Sequence, residues 1–170
     1  KDIKEDRKHP KKKFRPLASG LISKNIALSL MIILLIIGLT LMAIISTKAL
    51  VILSIYVILN ILYSLKLKRI AVLDVTIIAI GFVSRLFVGS FAYEIQLTIW
   101  IVIMTFLLAL FMALAKRRDD ILIFLKSGNK MRKSIDGYNM QLVDGSMMIM
   151  SSVVIVAYLL YTTSQEIIEK

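Results

Sequence analysis

Five long apolar stretches limit what this chain can fold into. They cover residues 26–45, 49–62, 71–92, 97–115 and 147–161. The apolar core of a bilayer is about 30 Å thick and takes roughly 20 helical residues to cross, a length that the second and fifth stretches reach only with flanking residues. The chain is 58% hydrophobic, whereas an ordinary soluble domain is about half apolar. We therefore predict an all-α, polytopic transmembrane helix bundle of five spans, forming a single integral membrane domain.

Basic residues alternate along the chain in step with these stretches. The segments before, between and after them carry nine, one, three, none, seven and one Lys or Arg. Basic residues stay on the cytoplasmic side of membrane proteins, and each span takes the chain to the other side. The first, third and fifth charged segments are therefore predicted to be cytoplasmic loops of a multi-pass protein in the cell (inner) membrane.

The first charged segment contains a pair of acids. Asp2 and Asp6 are four residues apart and share one face of a helix. Mg²⁺ prefers oxygen ligands and commonly takes one or two carboxylates together with substrate phosphates, an arrangement that this pair offers. With no Cys and a single His, thiolate and histidine-cage metal sites are excluded. Basic side chains that can bind phosphate oxygens follow the pair, at Lys8, Lys11, Lys12, Lys13 and Arg15. The alternative is that this basic segment anchors the chain on anionic lipid headgroups. The carboxylates among the basic residues would weaken such an anchor.

Two ionisable residues, Asp74 and Arg85, lie inside the third apolar stretch. A charge at bilayer depth costs about 2.5–3.5 kcal/mol on insertion scales, so such residues normally face a cavity or a partner. A helical rise of about 1.5 Å per residue separates the two by about 16 Å, so they are not expected to pair. Asp74 is near the cytoplasmic end, where it can reach the same metal or pair with a Lys such as Lys68. We predict that both face a substrate cavity.

The fourth apolar stretch ends in a run of charges at Lys116, Arg117, Arg118, Asp119 and Asp120. On a helix, Asp120 shares a face with Lys116 and with Arg117. These basic residues either end the span at the membrane interface or form a cationic surface that binds a polyanionic substrate. The two acids favour the second interpretation, because they add nothing to a basic end of a span. Residues 116–141 are long for a loop, and the apolar residues 121–125 predict a short interfacial or capping helix within them.

These three groups of charged residues, in this order, resemble the motifs of the UbiA superfamily of intramembrane prenyltransferases. The resemblance covers most of the chain. The first motif of the superfamily has the form Asn-Asp-x-x-Asp-x-x-x-Asp, often followed by His-Pro-x-Lys-x-x-Arg-Pro. The residues that match it are Asp2, Asp6, His9, Pro10, Lys12, Arg15 and Pro16. The Asn-Asp pair would precede Lys1, so the chain is expected to be a fragment without the N- and C-terminal helices of the family.

The second motif region of the family also has counterparts in this chain, at Tyr63–Lys68, Asp74, Phe82, Arg85 and Gly89. Within the superfamily, the decaprenyl-phosphate phosphoribosyltransferase branch is the most similar. The features that carry this likeness are Leu67-Lys68, Lys116-Arg117, Arg132-Lys133-Ser134 and Tyr138. Aromatic prenyltransferases usually have a further acid four residues after the first in this motif. Ile78 stands there in this chain, which disfavours that activity.

The resemblance implies a nine-helix bundle whose cavity opens to the cytoplasm and to lipid. It implies Mg²⁺-dependent transfer of 5-phosphoribose from phosphoribosyl diphosphate to a polyprenyl phosphate, with release of diphosphate. Asp2 and Asp6 would bind Mg²⁺, and Asp74 would be the catalytic residue, orienting a ribose hydroxyl or a metal-bound water. The substrate-binding residues would be Lys12, Arg15, Lys68, Arg85, Lys116, Arg117 and Tyr138.

Two other functions compete with this one. The first is a UbiA-type prenyltransferase that moves a prenyl group from a prenyl diphosphate to an aromatic or other acceptor. The second is a transporter or scaffold without chemistry. Transporters place ionisable residues near the bilayer midplane, whereas here nearly all lie at one face. The expected partners are a polyprenyl phosphate lipid, phosphoribosyl diphosphate and the bilayer, with no nucleic acid; a homo-oligomer is left open.

Overall fold

The computed structural model describes Ile3, Arg7, residues 12–128 and residues 133–163. The chain divides into two compact units, residues 1–44 and residues 45–170. All regular elements in the described ranges are helical, and no strand occurs in them. Five helices are long and apolar enough to cross a membrane. The predicted all-α fold with five spans is therefore confirmed, and the chain is that of a multi-pass membrane protein.

The first unit contains short helices and the first span. A one-turn helix at Pro16–Ser19 has its proline at the first position and ends at Gly20, whose φ of 87° is left-handed. Glycine adopts this conformation without the steric cost of a Cβ atom. The first long helix, α1, spans Lys24–Ile45, and none of its residues, all of which are described, is buried. Its apolar side chains are therefore available to lipid or to other protein surfaces.

The second unit contains the other four long helices. These are α2 (Thr47–Leu65), α3 (Leu73–Tyr93), α4 (Ile99–Ser127) and α5 (Met140–Thr162). Successive helices pack against one another, α2 on α3, α3 on α4 and α4 on α5. The core between α3, α4 and α5 consists mainly of small and aliphatic side chains, which let helices approach closely in a membrane. Its buried helical residues are Val75, Ala79, Ala109, Leu110, Ala113, Leu114, Ile121 and Val143.

The charged segment after the fourth span differs from the prediction. Helix α4 continues unbroken to Ser127, so the separate short helix predicted at residues 121–125 is wrong. Arg117 pairs with Asp120 one turn further on, Ile121 is buried in the core, and no Gly or Pro interrupts the sequence before Gly128. At 1.5 Å per residue, α4 is about 43 Å long and exceeds the apolar core of a bilayer by about 13 Å.

The fifth span also starts earlier than its apolar stretch. Helix α5 begins at Met140, because the Asn139 side chain accepts a hydrogen bond from the Leu142 backbone N–H at 2.7 Å. Val143 is fully buried, so this first turn packs on the core. The extra turns bring Asp144 into the helix, where it faces α4.

Candidate functional site

A buried carboxylate, Asp74, lies in the first turn of α3. Its side chain is 0% exposed. Its Oδ2 atom accepts hydrogen bonds from Arg117 Nε at 2.7 Å and from Ser134 Oγ at 3.0 Å. Its Oδ1 atom accepts one from the Tyr138 hydroxyl at 2.6 Å. A buried charge is tolerated when it is paired and hydrogen-bonded, and both conditions are met here. We call these four residues the Asp74 cluster.

Arg117 is the cationic member of the Asp74 cluster, and it comes from α4. Its side chain is 1% exposed. Besides the bond to Asp74, its Nη1 atom donates to Asp120 Oδ2 at 3.1 Å, one helical turn away. Arg117 therefore pairs with two carboxylates of the protein and offers almost no surface to a substrate. Its predicted role in phosphate binding stays a prediction, and the arrangement favours an internal role.

Tyr138 lies just before α5, between the segment Lys133–Gly137 and Asn139. Its hydroxyl donates to Asp74 and accepts a hydrogen bond from the Val72 backbone N–H at 2.8 Å. Burial raises the pKa of Tyr138 above its ordinary value of 10.0, and the hydrogen bond to Asp74 raises it further. The hydroxyl therefore stays protonated and able to donate throughout the neutral range.

The segment Lys133–Gly137 fits closely against the connection between α2 and α3. A Cβ atom on Gly137 would overlap with the Cβ atom of Ala71. The next residue, Val72, has a φ of 67°, which a β-branched residue seldom adopts. Because Tyr138 accepts the Val72 N–H, the cluster also fixes this strained turn at the start of α3.

The basic residues next to the cluster are more accessible. Lys116 is exposed, and Lys68, in the 3₁₀ turn Leu67–Arg69, is partly buried. Arg118 Nε donates to Asp144 Oδ1 at 2.7 Å and links α4 to α5; both side chains are 41% exposed. Among the phosphate-binding residues predicted in the second unit, Lys68 and Lys116 can thus meet a ligand, whereas Arg117 is enclosed.

Arg85 lies eleven residues after Asp74 on α3 and has a different environment. Its guanidinium carbon is 4.6 Å from the centroid of the Phe82 ring and 5.4 Å from that of the Tyr56 ring on α2. Its Nε atom donates to the Gly81 carbonyl at 3.1 Å. The expectation that Asp74 and Arg85 do not pair is confirmed. Whether Arg85 binds a substrate stays a prediction.

The predicted Mg²⁺ ligands, Asp2 and Asp6, lie outside the described residues. The side chain of Lys12 lies outside them as well, while Arg15 is exposed in the first unit. Within the described residues, no group of three or more His, Cys, Asp or Glu side chains is placed to hold a metal. Asp74 is a poor ligand, because a buried guanidinium and two hydroxyl groups already donate to its oxygens. The prediction of a metal site therefore depends on Asp2 and Asp6.

Two cavities lie at opposite ends of the second unit. One, of about 340 Å³, is next to the Asp74 cluster, and Phe124, Ile135, Tyr138 and Met140 are among the residues that line it. The other, of about 750 Å³, lies where α2 and α4 begin and α3 ends. Its lining includes Lys48, Phe87, Phe91 and Glu94. The larger cavity is therefore at the end with few basic residues.

Sequence reasoning did not select two residues of this region, Ser134 and Asp144, as functional candidates. Ser134 is buried and donates to Asp74. Its place in the Arg-Lys-Ser element, four residues before Tyr138, was the available signal. Asp144 belongs to the flanking residues that the fifth apolar stretch, which begins only at residue 147, needs to cross the bilayer, but it was given no role. An acid among residues that are needed to complete a span was the available signal.

The fold and this region together define a class of protein. It is a multi-pass helical membrane protein in which a buried polar cluster and accessible basic residues meet at one end of the helices. The UbiA prenyltransferase family matches residues 1–167, and the chain belongs to that family. Members of the family are transferases. The resemblance predicted from the charged motifs is confirmed.

Several curated relatives are proteins named decaprenyl-phosphate phosphoribosyltransferase. The one from Mycolicibacterium smegmatis is 30% identical over 166 residues, which make up 98% of this chain and 52% of that protein. The one from Corynebacterium glutamicum is 33% identical over 140 residues, 81% of this chain and 42% of that protein. A relative from Mycobacterium tuberculosis is 27% identical over 81% of this chain and 46% of its own length. The chain spans about half the length of the curated relatives it matches.

Proposed function

We propose that the protein containing this chain transfers 5-phosphoribose from phosphoribosyl diphosphate to a polyprenyl phosphate and releases diphosphate. The names of the relatives support the reaction. The single structural observation that carries the proposal is the exposed Lys116, which precedes the enclosed Arg117 on α4 at the end of the bundle that holds the Asp74 cluster. The distribution of basic residues supports a cytoplasmic position for this end, in the inner membrane.

The reaction needs positive charge more than it needs a proton acceptor. The bond between ribose C1 and the diphosphate oxygen breaks, and its electron pair leaves with the diphosphate. A new bond forms between C1 and a lipid phosphate oxygen. Cations placed where the charge grows stabilise the transition state more than the ground state. The lipid phosphate is already anionic at neutral pH, so the acceptor requires no general base.

Four basic side chains are assigned to the phosphates in this proposal. Lys68 and Lys116 are accessible in the second unit. Lys12 and Arg15 have the same role on the evidence of the first motif, and Arg can bind phosphate through two parallel hydrogen bonds. Arg85 would meet an anionic group of a substrate further along α3.

Mg²⁺ bound by Asp2 and Asp6 belongs to the proposal as well, and the four-residue spacing of these acids supports it. The metal would offset negative charge on the diphosphate. We expect Asp6→Asn in the full-length protein to abolish transfer and to remove the dependence of phosphoribosyl diphosphate binding on added Mg²⁺. Full activity of this variant would contradict a metal role for Asp6.

The reaction can be tested with membranes that contain the full-length protein. Radiolabelled phosphoribosyl diphosphate and polyprenyl phosphate are added, and the lipid fraction is extracted and counted. Label in the lipid, at levels above membranes without the protein, supports the proposal. Consumption of a prenyl diphosphate without label transfer from phosphoribosyl diphosphate supports the second candidate, a prenyltransferase, the activity for which the family is named.

The contribution of Lys116 can be measured in the same assay. Lys116→Gln keeps the length of the side chain and removes its charge, so we expect kcat/KM to fall roughly tenfold or more. Lys126→Gln is the matched control, because Lys126 is an exposed lysine on the same helix, ten residues further on. Equal activities of the two variants would argue against phosphate binding by Lys116.

A further inference from the structure

We infer that Asp74 is a positioning residue, which holds charged segments of the chain in fixed register and does not contact the substrate. Three segments are involved. They are the turn Leu67–Arg69 with the start of α3, residues 116–120 of α4, and Lys133–Gly137 with Tyr138. The inference rests on the proposed function, because phosphate binding by these segments is the purpose that the positioning serves.

The geometry of the carboxylate argues against direct contact with a substrate. A carboxylate has about four lone-pair positions for hydrogen bonds. Three donors already bind Asp74, from Arg117, Ser134 and Tyr138, and the side chain has no exposed surface. Because the remaining position is enclosed, a ribose hydroxyl could reach these oxygens only after a neighbouring side chain had moved away.

The donors come from parts of the chain that are distant in sequence. Arg117, Ser134 and Tyr138 are 43, 60 and 64 residues from Asp74. The Tyr138 hydroxyl extends the network to the Val72 backbone N–H, which follows the Leu67–Arg69 turn closely. One carboxylate therefore joins α3, α4 and the segment before α5 at a single point.

Two of the joined segments carry basic side chains at their border. Lys68 and Arg69 lie in the turn before α3, and Lys116 precedes Arg117. Replacing a buried ion pair by apolar side chains of similar volume is often neutral or even stabilising, so such a pair is a poor device for stability alone. Fixing the register of packed elements is the better attested use. Here it would set where the accessible lysines stand relative to one another.

Kinetics of two cluster variants test the inference. Ser134→Ala and Tyr138→Phe each remove one donor to Asp74 with little change in shape. Their matched controls are Ser152→Ala and Tyr158→Phe, on the exposed surface of α5. If the cluster positions the phosphate-binding lysines, KM for phosphoribosyl diphosphate rises roughly tenfold while kcat changes less than about threefold.

Two kinetic outcomes would overturn the inference. If KM and kcat of the folded protein both match the controls, the cluster only stabilises the fold. If kcat falls by more than KM rises, Asp74 acts on the reacting groups themselves.

A second measurement does not depend on activity. The 170 residues contain no Cys, so a spin label can be placed at Asp136→Cys, in the exposed part of the segment before α5, once any cysteines elsewhere in the full-length protein are replaced by Ser. We expect an immobilised spectrum in the otherwise unchanged protein and a mobile component when Ser134→Ala or Tyr138→Phe is added. A label at Lys126→Cys on α4 should be unaffected. An Asp136 label whose spectrum does not change would overturn the inference.

The two measurements together separate the inference from the proposed function. If the cluster variants mobilise the Asp136 label but the protein transfers no phosphoribose, the positioning role is supported and the proposed reaction is refuted. If the protein transfers phosphoribose and the variants change neither KM nor label mobility, the reaction is supported and the positioning role is refuted.

Discussion

Asp74 and Arg85 lie on the same helix, eleven residues apart, and the protein accommodates their charges in different ways. Asp74 is enclosed by an arginine, a serine and a tyrosine from other segments. Arg85 lies over two aromatic rings and donates to a carbonyl of its own helix. Both solutions lower the cost of a charge away from water, by ion pairing in the first case and by cation–π attraction in the second.

The two environments differ in how much structure depends on each charge. The partners of Asp74 come from α4 and from the segment before α5, so its loss would release several elements at once. Among the described residues, the ring contacts and the hydrogen bond of Arg85 involve α3 and Tyr56 of α2. Stacking also uses the face of the guanidinium, whereas a phosphate or carboxylate binds its edge. Arg85 is therefore better suited to meet a further anionic partner, and Asp74 is better suited to hold the fold.

The largest expected effect is that of Asp74→Ala. It would leave Arg117 buried with only Asp120 as a partner, and breaking a buried pair in this way costs about 3–5 kcal/mol. Thermal unfolding of the detergent-solubilised full-length protein would measure the loss. The double variant Asp74→Leu with Arg117→Leu should recover most of it, because no unpaired charge remains. A loss below about 1 kcal/mol for the single variant falls well short of the range for a broken buried pair. It would contradict the view that more of the fold depends on Asp74 than on Arg85.

A smaller loss is expected for Gly137→Ala, which tests the close fit around the Asp74 cluster. The new Cβ atom would overlap with the Cβ atom of Ala71, and overpacking of this kind typically costs about 1–3 kcal/mol. Adding Ala71→Gly should restore stability, because it removes the atom that is struck. Gly145→Ala is the control: a Cβ there meets nothing within 4 Å, and alanine is favoured over glycine in a helix by roughly 0.5–1 kcal/mol.

The smallest effect is expected around Arg85. Tyr56→Leu removes one of the two rings beside the guanidinium and should cost about 0.5–2 kcal/mol, whereas Tyr56→Phe keeps the ring and should cost less. The same unfolding measurement applies. A Tyr56→Leu loss as large as that of Asp74→Ala would show that the Arg85 environment is as important for the fold. Equal losses for Leu and Phe would show that the cation–π contact contributes little.

The spans and the charged motifs were predictable because they depend on local composition. Runs of about 20 apolar residues define a membrane-crossing helix whatever lies next to them. The helix ends were harder to predict, since they depend on capping and packing. The helix break expected before the separate segment 121–125 does not occur, because Arg117 and Ile121 find partners within the bundle. The fifth span was expected to need flanking residues, but its first residue depends on the Asn139 cap and on the packing of Val143 in the core.

The roles of individual charged residues were only partly predictable. The sequence singled out Asp74, Arg117 and Tyr138 as residues of a site, and the structure brings these three together with Ser134. It did not indicate that they would satisfy one another and leave Lys116 accessible. Spacing along a helix shows which residues share a face, but it does not show which of them faces another helix.

By itself, the sequence determined an all-helical membrane protein with five spans, a family whose motifs it carries, and the end of the bundle where charge collects. These properties follow from hydropathy, from the side on which basic residues stay and from short motifs, all of which act within one segment. Only the tertiary structure decided that Asp74 is enclosed and that Lys116 is exposed. The enclosure of Asp74 depends on contacts between residues 43 to 64 positions apart, and such contacts are set by the packing of whole helices.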